Sequence, residues 1–352
     1  ESLLQYFAPI IICLYKNHKL QNEPVKETHV TRHNEYLNLN LVDAEISARL
    51  FSVKKFNEVH LVGIVVKMFE NLDLLTSMKI VEPSDFLTAI LSIREAYLEN
   101  PNPFHNWHHA VDTTQFIYSC LLRGRMRRYF RPIQIAALLM ASLCHDIGHK
   151  GLNTTFHLKA KTSIFYTFGE QSPLERYHAT RAIQILQNSP IYEGIDNPTF
   201  WNFFVNSIVA TDMVRHFEFI ENFKAIYNRF EFGNELHQLT LAQFLIKCGN
   251  VANTTRTFDV AFQFGQGLLD EYKNQSEKEK EINVELTKFS DVGDFKDGVT
   301  SLWAIEISFY TGIVAPMYKL LQTMVPDLAD FKLQMEDNKR QWEKYGKKTD
   351  SK

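Results

Sequence analysis

The chain has 352 residues, 45% of them hydrophobic, with a formal net charge of −3. That is enough apolar material for one large core or two fused subdomains, and the charge balance gives no basis for general binding to nucleic acid or to a membrane surface. The four cysteines, Cys13, Cys120, Cys144 and Cys248, form no C-x-x-C pair, which fits free thiols in a reducing, cytoplasmic compartment.

Residues 1–20 are apolar-rich, but Phe7 to Tyr15 falls short of the roughly 20 residues of a membrane span. No basic stretch precedes it, so it reads as a core or docking helix rather than a signal sequence. Residues 21–45 are polar and irregular, and residues 1–45 are expected to join a regulatory domain or a partner chain. Helical periodicity resumes with Val62, Val65, Val66 and Phe69, then Phe86, Ile90, Leu91 and Ile93. Asn102-Pro103 reads as a helix start, with Asn as the cap and Pro in the first turn. Residues 133–143 are apolar all round and predict a central buried helix carrying His145 and Asp146 at its C-terminal end. Helices are expected over 174–186 and 201–208, and a buried one over 239–248. Residues 271–285 read as charged and solvated, 290–298 as a loop, 303–317 as apolar, and 327–348 as a polar terminal helix. Glycine is sparse and no alternating strand pattern appears, so the fold class is all-α.

His105 and His109 are four residues apart, the spacing of one helical face. His145-Asp146 can offer an imidazole and a carboxylate to the same centre. Such ligands suit zinc, and a carboxylate can bridge to a harder magnesium or manganese. His18, His29, His33, His60, His157 and His237 read as ordinary surface or core residues, and His108 points away from the His105/His109 face. The cluster Arg123, Arg125, Arg127, Arg128 and Arg131 reads as a solvated loop.

Four motifs in order, Asn102-Pro103-Phe104-His105-Asn106-Trp107-x-His109-Ala110, His145-Asp146-x-x-His149-x-Gly151, Leu174-Glu175-x-x-His178 and Ala210-Thr211-Asp212-Met213, resemble the catalytic domain of class I 3′,5′-cyclic nucleotide phosphodiesterases, within the HD-domain metal hydrolases. The resemblance implies a compact domain of about sixteen helices around a deep pocket holding Zn2+ and a second divalent ion, Mg2+ or Mn2+. It divides the chain into an N-terminal helix and linker (1–60), a catalytic domain (61–345) and a tail (346–352). It implies hydrolysis of cAMP, cGMP or both. His105 resembles the general acid that protonates the leaving O3′, and Glu175 the carboxylate that orients it. His109, His145, Asp146 and, in the place of the last ligand, Asn250 are implied as the metal site. His149, His178, Thr211 and Asp212 are implied to hold waters and ligands. Met213, Asn253, Glu306 and Phe309 are implied in nucleotide binding, with Phe309 clamping the base.

Four positions depart from the family pattern. Asn250 stands where the last zinc ligand is an Asp; an amide oxygen can coordinate but carries no charge. Glu306 stands where a Gln binds the purine edge; an ionised Glu only accepts hydrogen bonds. It therefore suits guanine N1–H and N2–H2 and opposes the adenine N1 lone pair, so cGMP is expected to be tolerated at least as well as cAMP. Gly148 replaces the usual acidic residue, and Thr154 an Asn, with Asn153 adjoining. Two readings follow: a divergent active phosphodiesterase, or a pseudoenzyme whose fold serves as a binding or scaffold subunit.

Overall fold

The computed structural model describes residues 43–287 and 298–349; the expectations for 1–42 and most of the 290–298 loop lie outside the described residues. All regular structure among the described residues is helical, as the sequence pattern implies. The longer helices are α1 (Glu58–Asn71), α2 (Pro83–Leu98), α3 (Trp107–Arg123), α4 (Pro132–Cys144), α5 (Pro173–Gln187), α6 (Pro198–Val209), α7 (His216–Ile226), α8 (Glu235–Asn250), α9 (Phe258–Glu281), α10 (Gly298–Phe309), α11 (Ala315–Met324) and α12 (Ala329–Thr349).

Asparagine starts many of them. The side chains of Asn57, Asn106, Asn197 and Asn234 each accept from a backbone N–H of the first turn, satisfying donors the helix itself leaves unpaired, for about 1 kcal/mol each. The cap of α3 is thus Asn106, not Asn102. The Asn102 side chain instead donates to the carbonyls of His105 and His149, so His105 lies in a loop ahead of the helix that carries His109.

α4 is the central helix. Gln134 to Cys144 are all buried, as an all-round apolar segment requires, and α3, α6 and α8 pack around it. Each fully buried Leu, Ile or Phe there contributes about 1.5–3 kcal/mol. Residues 46–56 join the same core: Ile46, Phe51 and Val53 are buried, and Gln115 and Ser119 of α3 donate to the backbone of Ile46, Ser47 and Ala48.

The reading of 271–285 as solvated is corrected for α9. Glu271, Gln275, Ser276 and Glu279 are buried. Gln275 and Glu279 face inward because Gln275 donates to Asn153 and Glu279, and Glu279 accepts from the Thr287 backbone and hydroxyl. Between α10 and α11 the chain widens into one π turn, Tyr310–Val314. Pro316 brings no N–H for the Gly312 carbonyl, which explains the widening.

Candidate functional site

α4 ends at Cys144, and the turn beyond it presents His145 and Asp146. Tyr97 of α2 pins this turn: its hydroxyl donates to the Leu143 carbonyl at 2.9 Å and accepts from the Asp146 N–H at 3.2 Å. α3 brings His109 to the same point and α8 ends on Asn250. Four ligand-type atoms converge there. Asn250 Oδ1 lies 3.0 Å from His109 Nε2 and 3.2 Å from His145 Nε2. The two Nε2 atoms are 3.3 Å apart, and Asp146 Oδ2 is 3.0 Å from His145 Nε2 and 3.5 Å from His109 Nε2.

This donor set fits a divalent cation. Ligands bound at about 2.0–2.1 Å in a tetrahedron stand about 3.3 Å apart. His145 Nδ1 donates to the Ser142 carbonyl at 2.8 Å, which turns Nε2 toward the cluster, the nitrogen on which a metal ion would take the place of a proton. Asp146 Oδ2 is buried, and its partner is the His145 imidazole. Burial and neighbouring His145 push His109 down to about 3, so its imidazole is neutral. Burial opposes charge on Asp146, but His145 and His105 outweigh it and hold the carboxyl well below its usual range.

Beside the cluster stands His105, and its partner is a residue that sequence reasoning missed. His105 Nδ1 donates to Glu271 Oε2 at 2.6 Å, while Glu271 Oε1 accepts from the backbone N–H groups of Phe104 and His105 at 2.8 Å each. Burial opposes a charge on His105, yet Glu271 and Asp146 overcome it and raise the imidazole to about 9. His149 stacks on His105 with ring centroids 3.9 Å apart and takes the Gly151 N–H on Nδ1. Burial and His105 hold His149 well below its ordinary value, so it stays neutral.

The carboxylate on His105 is therefore Glu271 and not Glu175. Glu175 lies in the first turn of α5, buried, with Oε2 unpartnered among the described residues. Burial, with Asp212 and Asp146 nearby, pushes it up to about 8. One turn on, His178 Nδ1 donates to the Ile147 carbonyl at 2.7 Å and its buried Nε2 has no partner among the described residues. Two unpartnered polar atoms, Glu175 Oε2 and His178 Nε2, thus border the cluster on the α5 side. Asp212 is engaged by Ser172 at 2.7 Å and by the Val214 N–H at 2.8 Å. Thr211 donates back to the Ile208 carbonyl at 2.8 Å, so its hydroxyl is spent on its own helix end. Met213 beyond it is exposed.

α9 forms the opposite wall. The Phe264 ring packs against Phe104 and His109, with centroids 6.0 and 6.3 Å away, and the Pro103 carbonyl fills the space a Cβ at Gly267 would need. Glu306 of α10 lies on α9 at Gly265, where a Cβ would meet its Oε1 at 2.7 Å. Phe309, half-buried, follows one turn later on α10. Tyr310 donates to the Thr254 carbonyl at 3.1 Å, tying this end of the helix to the turn that buries Asn253.

Two of the departures have local causes. Gly148 has φ +74, and the Tyr177 hydroxyl lies 2.8 Å from where its Cβ would be, so a side chain there would be strained and obstructed. Thr154 opens a short helix that Asn153 caps.

The model of the 3′5′-cyclic nucleotide phosphodiesterase family matches residues 104–335. The "cGMP-specific 3′,5′-cGMP phosphodiesterase 3" of Dictyostelium discoideum is 30% identical over 80% of this chain and 60% of its own length. The "High affinity cGMP-specific 3′,5′-cyclic phosphodiesterase 9A" of Mus musculus is 31% identical over 74% of this chain and 48% of its own. The chain thus spans about half to three-fifths of these two relatives. Among solved structures, the phosphodiesterase domain of the Salpingoeca rosetta RhoPDE fusion protein shares the fold, with TM-score 0.82 at 23% identity over 88% of this chain and 98% of its own. The chain belongs to the 3′5′-cyclic nucleotide phosphodiesterase family.

Proposed function

We propose that this domain hydrolyses 3′,5′-cyclic nucleotides to 5′-monophosphates, with cGMP accepted at least as well as cAMP. The observation that carries the reading is the pairing of a carboxylate-held imidazolium, His105–Glu271, with a four-ligand cluster beside it. His105, kept cationic, donates its Nε2 proton to the departing O3′. Glu271 fixes the ring and its tautomer. His109, His145, Asp146 and Asn250 would hold a zinc ion, with Asp146 shared with Mg2+ or Mn2+. Divalent ions in such a site neutralise charge building on the phosphoryl oxygens and lower the pKa of water. Glu175 and His178 have free buried atoms that suit an ordered water, and His149 seals one side of His105. Thr211 and Asp212 shape the corner between α6 and α7. Asn253, Glu306 and Phe309 receive the base, with Met213 at the rim. The names of the two relatives support cGMP, and the buried free cysteines support a reducing, cytoplasmic setting. Residues 1–45 are proposed to join a regulatory domain or partner.

Asn250 favours a second reading, a binding subunit without turnover, because the site is one negative charge short. The deciding experiment is hydrolysis of cAMP and cGMP by purified protein with magnesium, manganese and zinc, beside His105→Ala. Turnover lost in the variant supports the enzyme. Its absence with every metal supports the scaffold.

A further inference from the structure

Lys247 of α8 is a buried lysine. Its Nζ donates to the carbonyls of Ala210 at 2.9 Å and Asp212 at 3.0 Å, and it lies 5.4 Å from the centre of the Phe219 ring of α7. The two carbonyls flank Thr211, so one cation closes the corner that ends α6. Carbonyls at a helix C-terminus lack partners within the helix and accept such a bond. Burying an ammonium is nonetheless a costly way to close a turn. Asn250 follows Lys247 by three residues, about one turn of α8. The same stretch of helix therefore carries a cluster ligand and holds the corner.

The corner in turn holds α5. Asp212 Oδ1 accepts from the Val214 N–H at 2.8 Å and Oδ2 from the Ser172 hydroxyl at 2.7 Å. Ser172 is the buried residue ahead of α5, with left-handed backbone at φ +47. A serine in that place ordinarily turns its hydroxyl oxygen to the first N–H groups of its own helix. Ser172 makes no such bond and donates outward to Asp212 instead. Glu175 stands three residues further on, in the first turn of α5. Lys247 feels the charges of both Asp212 and Glu175, so the three groups share one buried neighbourhood.

We propose that Lys247 is a positioning residue for the reaction: through Asp212 and Ser172 it fixes the start of α5, and with it the place of Glu175 beside the cluster. The proposal rests on the phosphodiesterase reading and deepens it. Lys247 sets the backbone of Asp212, which aims the carboxylate. The carboxylate holds the Ser172 hydroxyl, and with it the left-handed turn from which α5 departs. A displacement of about 1 Å at a positioned group can cost about 100-fold in rate. A methionine at 247 would fill the same space without donating, so the corner would lose its tie to α8.

The test is a double-mutant cycle on the full chain, with hydrolysis of cAMP and cGMP measured in magnesium, manganese and zinc. Lys247→Met and Ser172→Gly should each lower kcat by about tenfold or more, with KM within about twofold of wild type. The double variant should be no slower than the slower single one, because both break the same chain of contacts. Glycine adopts φ +47 without strain, so Ser172→Gly should keep the wild-type thermal midpoint and its loss of rate is not a loss of fold. Hydrogen exchange without added metal gives a readout apart from turnover: Lys247→Met should speed exchange in residues 172–178 as well as in 210–214. Where Lys247→Met does not fold, Lys247→Gln, which keeps a donor without the charge, takes its place in the cycle. Wild-type kcat in folded Ser172→Gly, losses that multiply in the double variant, or unchanged exchange in 172–178 overturns the proposal and leaves the phosphodiesterase reading intact. A wild type that hydrolyses neither nucleotide with any metal overturns that reading, and the proposal with it.

Discussion

His105 and Glu271 meet through a 2.6 Å hydrogen bond that closes a separation of 166 residues. The same carboxylate accepts from two consecutive backbone N–H groups, those of Phe104 and His105, so it fixes the loop as well as the ring. Glu271→Gln should fold, keep its KM for nucleotide, and lose about 100-fold or more in kcat. The alkaline limb of its pH–rate profile should move toward lower pH, because the carboxylate that holds His105 near 9 is gone. An unchanged profile would remove Glu271 from proton transfer. The linkage to stability has a definite sign in the metal-free chain. His105 is raised above its ordinary 6.5, so the pair's contribution is full below that value and fades as pH rises through about 9.

The amide at position 250 should make the centre a weaker trap. Asn250→Asp adds a formal charge where Oδ1 already faces two Nε2 atoms. Since even outer partners of metal ligands are worth about 10–100-fold in affinity, the variant should bind zinc at least about tenfold more tightly in chelator competition. Equal affinities would mean that Asn250 does not reach the ion.

Gly265→Ala separates room for Glu306 from stability. The new Cβ would lie 2.7 Å from Oε1, the end of a side chain that can move. Helix propensity favours Ala by about 1 kcal/mol. The thermal midpoint should hold or rise while KM for the nucleotides worsens by about tenfold. A variant with wild-type KM would place the base elsewhere.

The core beneath His109 holds a buried ion pair. Arg256 is buried and bonds Asp112 Oδ1 at 3.0 Å, with the Asp112 and Arg49 carbonyls and Gln115 completing its shell. Asp112→Ala strands that guanidinium, and denaturant unfolding should show a loss of about 3–5 kcal/mol. A loss under about 1 kcal/mol would mean water or another anion replaces the carboxylate.

The cluster residues were readable because they travel in short motifs: His145 and Asp146 are neighbours, and His109 follows His105 by four. Apolar periodicity likewise marked α1, α2 and α4, since a helix must bury one face whatever lies opposite. Glu271 was not readable. It sits in a run of charged and polar residues, and only the course of α9 past the His105 loop decides that this carboxylate points inward. The cap of α3 was misplaced for a related reason. Asn102 and Asn106 both have the right chemistry, but Asn102 is drawn away by the His149 carbonyl, 47 residues downstream. Ionisation was equally hidden: Glu306 looks like any acid in sequence, and only the fold buries it, against Gly265.

α9 runs as one unbroken helix of 24 residues, with Phe264 on His109, Gly265 under Glu306 and Glu271 on His105. Neighbouring positions on such a helix differ by about 100° and 1.5 Å. An insertion or deletion of one residue between Thr257 and Glu271 would therefore carry the proton donor's anchor and the carboxyl's seat out of register with each other or with their targets. Descendants of this chain can vary these contacts by substitution, but not by changing the helix's length ahead of Glu271, so indels in the lineage should be confined to its far end.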